Sequence, residues 1–140
     1  MMKKFFNICF YLCLFVCLTF VTTKVSAKSI FYVEEPNVEY SDFLLTGKWV
    51  EKKTWSNQEI FVDQAKTSMT DPCPKCQFIV RTRTDIGSEG ALGDVIKLYE
   101  SRAFIGHDGS SKPGNFKLKI KRADFTLLKT LFGAIWTYDL

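Results

Sequence analysis

Histidine is nearly missing from this chain, with one residue in 140, and cysteine, proline and glycine are sparse at five, four and eight. A single imidazole rules out any metal centre built on several histidines. Four prolines rule out a polyproline or collagen-like repeat. No Asn-x-Ser/Thr sequon, no Gly-x-Ser-x-Gly elbow and no Gly-Lys-Ser/Thr occurs. Asparagine-linked glycosylation, the α/β-hydrolase nucleophile and the P-loop phosphate cradle therefore all lack their motif. Internal repeats and coiled-coil heptads are also absent. No residue set points to catalysis or to a metal, and no cofactor is expected.

One long apolar run is present. Lys3 and Lys4 precede Phe5 to Val21, 17 residues without a charge, and Thr22-Thr23-Lys24-Val25-Ser26-Ala27 follows with a Val-x-Ala ending. Positive n-region, apolar h-region and small-residue site are the parts of a signal peptide over 1–27, cleaved after Ala27. The rival reading is an uncleaved anchor, since 17 residues stand at the lower edge of the roughly 17–25 that span a bilayer. Lipid attachment at Cys17 is opposed by the bulky Leu14-Phe15-Val16 before it. The expected location is secreted or periplasmic, with the membrane involved only in export.

Removing this segment changes the rest of the inventory. Lys3, Lys4 and Lys24 leave, so 16 Lys+Arg face 15 Asp+Glu and the net charge drops from +4 to +1. A near-neutral chain gives no general attraction to nucleic acid, and none is expected as a partner. Cys9, Cys13 and Cys17 also leave, so that only Cys73 and Cys76 remain, an even pair suited to one disulfide in an oxidising compartment.

Residues 28–43 carry several acidic side chains and Pro36 and read as an exposed lead-in, with 44–140 as one β-rich domain. Short apolar or alternating stretches at 48–55, 58–64, 77–84, 116–121 and 133–138 read as strands. In Phe116-Lys117-Leu118-Lys119-Ile120-Lys121 the apolar residues share one face and three lysines the other. The expected class is mainly β, a small antiparallel barrel or sandwich, with room for one short helix near 92–104; α+β is the alternative. Val95, Leu98, Tyr99 and Arg102 carry the helical spacing there. Asp124 to Ile135 reads as strand, turn and strand.

Asp71-Pro72-Cys73-Pro74-Lys75-Cys76 leads into a strand-like segment rather than a helix, so no helix dipole would stabilise a thiolate. A structural disulfide at a hairpin tip is the preferred reading, ahead of a reactive dithiol and of a metal site. Gly87 to Gly93 reads as a connecting loop, and His107 as part of a solvated polar loop. Arg81, Arg83 and the lysines of 117–121 could form a basic strand surface for an anionic partner or lipid headgroup, or simply a solvated outer face.

Leu45-Thr46-Gly47-Lys48-Trp49 resembles the Gly-x-Trp opening of lipocalins and avidins, and Leu128-Lys129-Thr130-Leu131-Phe132 is similar to a late avidin strand. The resemblance covers about ten residues and implies an antiparallel barrel with Trp49 packed across its closed end. The polar ligand residues of avidins do not follow Trp49, so biotin binding is not implied.

The expected function is an exported, non-catalytic binding domain for an apolar small molecule or a protein partner. Trp49, Trp55, Phe78, Tyr99 and Trp136 are its candidate ligand-binding residues. The alternatives are a secreted interaction protein or inhibitor acting through loops or a strand edge, and a small hydrolase or thiol oxidoreductase using Cys73 or His107.

Overall fold

The computed structural model describes residues 28–69, 71–92, 94–106 and 111–139. The signal-peptide reading of 1–27, its cleavage after Ala27, and His107 lie outside these residues. Among the described residues every regular element is a strand. In chain order these are β1 (Ser29–Val38), β2 (Leu44–Leu45), β3 (Val50–Lys52), β4 (Glu59–Thr67), β5 (Gln77–Thr84) and β6 (Glu89–Ala91). β7 (Ile96–Lys97), β8 (Ser101–Ala103), β9 (Ile105–Gly106), β10 (Gly114–Arg122) and β11 (Thr130–Asp139) follow.

Pairing is antiparallel throughout. A four-stranded sheet runs β1-β11-β4-β8, and a seven-stranded sheet runs β2-β10-β5-β6-β9, with β3 also on β10 and β7 also on β5. Strict alternation gives each long strand one apolar face, and the two apolar faces close on each other as a sandwich. Phe116, Leu118 and Ile120 of β10 and Phe78 and Val80 of β5 meet Ile60 and Val62 of β4 and Phe132, Ala134 and Trp136 of β11. Phe78 and Phe132 pack edge to face between the sheets, ring centroids 4.9 Å apart. Each such side chain contributes about 1.5–3 kcal/mol by leaving water. The Trp136 indole N–H donates to Gln58 Oε1 at 2.9 Å, so the largest core residue buries no orphan donor.

Three expectations are corrected. Residues 28–43 are not an exposed lead-in: β1 pairs along β11 from Ser29↔Asp139 to Val38↔Thr130, and Val33 and Val38 are buried. Glu34, Glu35 and Pro36 hid this strand, and its edge position is what tolerates them. The segment 92–104 forms no helix among its described residues. Ile96 and Leu98 bury at a spacing of two, β7 pairs with β5, and β8 pairs with β4. The exposed edges of two existing strands capture this segment's amides, which outweighs a short helical pattern. Cys73 and Cys76 form the expected disulfide, with Cα atoms 5.5 Å apart, but not at a hairpin tip. They sit buried in the crossing from β4 in one sheet to β5 in the other, where the Cys73 amide donates to the Ala65 carbonyl at 2.7 Å.

Candidate binding surface on the seven-stranded sheet

The alternation that buries Phe116, Leu118 and Ile120 turns Lys117, Lys119 and Lys121 outward. Register then decides their neighbours. Lys117 lies opposite Arg83, Lys119 opposite Arg81, and Lys121 opposite Ile79. Directly opposed residues stand about 4.5–5.5 Å apart, so five cations occupy two adjacent strands of one face. Like charges at this separation repel, and the face needs something to offset them.

Two features do so in part. Glu89 on β6 lies opposite Arg83 and reaches Lys119 at 2.5 Å and Arg81 at 3.5 Å. The Lys119 hydrogen bond, with both cations nearby, holds the Glu89 carboxyl below its ordinary value despite partial burial. Phe43, next to β2, lies under three cations at once, with Lys119 at 4.9 Å and Lys121 and Arg81 at 5.0 Å from the ring centroid. Lys117 stands 4.9 Å over the Trp49 ring. Such contacts contribute about 0.5–1 kcal/mol each at exposed sites. Among the described residues, Lys117, Lys121 and Arg83 take part in no ion pair, which leaves the face in cationic excess.

Cations on the inner side of the same sheet are matched. Lys52 of β3, with no exposed side-chain surface, stands 3.6 Å from Asp139 and donates to the Thr54 carbonyl and to Ser56 Oγ. Asp139 also accepts from the Lys53 and Thr54 amides and, at 2.7 Å, from the Thr54 hydroxyl. Burial opposes ionisation of Asp139, but the Thr54 and Lys53 hydrogen bonds and Lys52 outweigh it and hold its carboxyl below the usual value. Desolvation pushes Lys52 down, and Asp139 restrains that shift. Arg122, at the end of β10, is likewise buried and bonded to Asp124 and Thr130. These clusters satisfy their own donors and acceptors. Among the described residues no buried side-chain polar atom lacks a partner.

The five candidate ligand-binding residues do not converge. Phe78 and Trp136 are fully buried in the sandwich core. Trp49 is on the outer side beneath Lys117, Trp55 lies exposed between β3 and β4, and Tyr99 is exposed in a tight turn with φ of +66°. Cys73 and Cys76 are bonded to each other and buried. Among the described residues, no three of His, Cys, Asp and Glu gather as metal ligands. Sequence reasoning saw the lysine alternation of β10 but missed Phe43 and Glu89, because neither belongs to a recognisable pattern. A lone phenylalanine ahead of a strand and a glutamate in a glycine-rich stretch gain meaning only from register.

No protein-family model matches the chain, and neither a curated protein nor a solved structure does.

Proposed function

We propose that this protein is an exported, non-catalytic binding domain that engages an anionic partner through the outer face of β10 and β5. The observation that carries the reading is the contrast within one sheet: Lys52 and Arg122 are paired with carboxylates inside, whereas of five outward cations only Lys119 and Arg81 reach a carboxylate, that of Glu89, among the described residues. Uncompensated like charge on a flat face is destabilising unless a ligand supplies the opposite charge. An apolar small-molecule ligand has less support, since Phe78 and Trp136 fill the interior where a cavity would have held it. Interaction through the β1 edge is disfavoured by Glu34, Glu35 and Pro36, which blunt pairing with a further strand. Export rests on the apolar run after Lys3-Lys4 and accords with the disulfide.

The test is binding of a soluble polyanion such as polyphosphate, followed by calorimetry across a salt series. Affinity should fall steeply with salt and drop in a Lys117→Gln/Arg83→Gln variant. Equal affinity of variant and parent would sink the reading.

A further inference from the structure

We infer that the anionic partner of this face is a membrane surface containing acidic lipids. The inference rests on the reading of the face as an anion-binding surface, and goes further by way of what surrounds the cations. One row across the sheet reads Leu45, Lys119, Arg81, Ala91 and Ile105, from β2 to β9. It spans about 19 Å at the usual strand spacing and begins and ends on an exposed aliphatic side chain. Leu45 is 40% and Ile105 69% exposed, so apolar side chains bound the cationic row at both ends.

This arrangement discriminates between anions. A soluble polyanion gains from the cations but nothing from Leu45 or Ile105. An acidic bilayer gains from both, with phosphates meeting the lysines and arginines while the apolar tips enter the headgroup boundary. Beside Arg81 an apolar depression lined by Ile79, Ala91, Leu92 and Val95 adds room for an acyl or glycerol segment. Asp94 also lines it and accepts from the Val95 amide at 2.7 Å.

Ser29, where β1 begins, lines a shared depression with Lys48 and Trp49, next to Lys117. The lipid-directed run Phe5 to Val21 ends eight residues before Ser29.

The experiment is co-sedimentation of the protein, purified after export, with vesicles of phosphatidylcholine alone and with one third phosphatidylglycerol. Polyphosphate binding is measured in parallel. We expect at least tenfold tighter binding to the acidic vesicles. Each cation removed by Lys117→Gln, Lys121→Gln or Arg83→Gln should weaken it about fivefold. Leu45→Ser with Ile105→Ser should weaken vesicle binding severalfold and leave polyphosphate binding unchanged. Equal binding to both vesicle types, or no loss in the cation variants, overturns the inference. Cation-dependent binding to polyphosphate without binding to acidic vesicles also overturns it while leaving the proposed function standing. Binding to neither overturns both.

Discussion

The two sides of the seven-stranded sheet treat positive charge in opposite ways. Inside, Lys52 and Arg122 are desolvated, and each is held by a carboxylate and by hydroxyl or carbonyl oxygens. Outside, Lys117, Lys119, Lys121, Arg81 and Arg83 lie on two adjacent strands with Glu89 and two aromatic rings as their compensation. A buried charge must be paired for the chain to fold, because desolvation costs several kcal/mol per ion. A solvated charge carries a far smaller penalty, so the repulsion among the outer cations costs the fold little. Strand alternation alone thus separates the paired, buried cations from the solvent-facing ones.

The largest expected break in that contrast is Asp139→Ala, which leaves Lys52 buried without its carboxylate and should cost about 3 kcal/mol in urea unfolding. The double change Lys52→Met with Asp139→Leu removes both charges and should cost less than the single change. A single variant as stable as the double would mean that Lys52 is not held as an ion. Next is Gly133→Ala, on the outer side of the other sheet. A Cβ there would lie 2.8 Å from both Gln64 Cβ and the Tyr32 hydroxyl, and about 2 kcal/mol should be lost. That loss marks an outer face organised by packing rather than by charge, and a thermal scan will show it.

Acidification should erode stability from the matched side. Asp139, Asp124 and Glu89 are all held below their ordinary values in the folded chain. Their contribution is present above the unfolded carboxylate range near pH 4 and is lost as pH falls through the lower folded values. Glu35, raised by burial, acts in the opposite direction. Unfolding midpoints measured between about pH 6 and pH 2 should decline, and less so in Asp139→Asn. The smallest effect belongs to the outer cations: Lys117→Gln and Arg83→Gln should change stability by no more than about 0.5 kcal/mol. A larger loss would assign them to the fold rather than to binding.

Much of the architecture was legible because it is periodic. Phe116 to Lys121 alternates so cleanly that its two faces are evident from the chain alone, and the strands at 58–64, 77–84 and 133–138 were found within a few residues. β1 was missed because Glu34, Glu35 and Pro36 break the pattern that Phe31 and Val33 begin. The helix near 92–104 was expected because local spacing cannot reveal that the edges of β5 and β4 are waiting for partners. The aromatic ligand set failed to converge for the same reason: Trp49 and Trp136 look alike in sequence, yet one packs outside under Lys117 and the other inside against Gln58.

By itself the sequence determined the β class, the division of β10 into an apolar and a cationic face, and the pairing of Cys73 with Cys76. Each follows from interactions between residues a few positions apart. Only the tertiary structure decided which strands are neighbours, and so that Arg81 joins Lys119, that Phe43 lies beneath both, and that Asp139 closes on Lys52. These contacts join segments tens of residues apart, and they are selected by burial of whole faces and by the register of the strands.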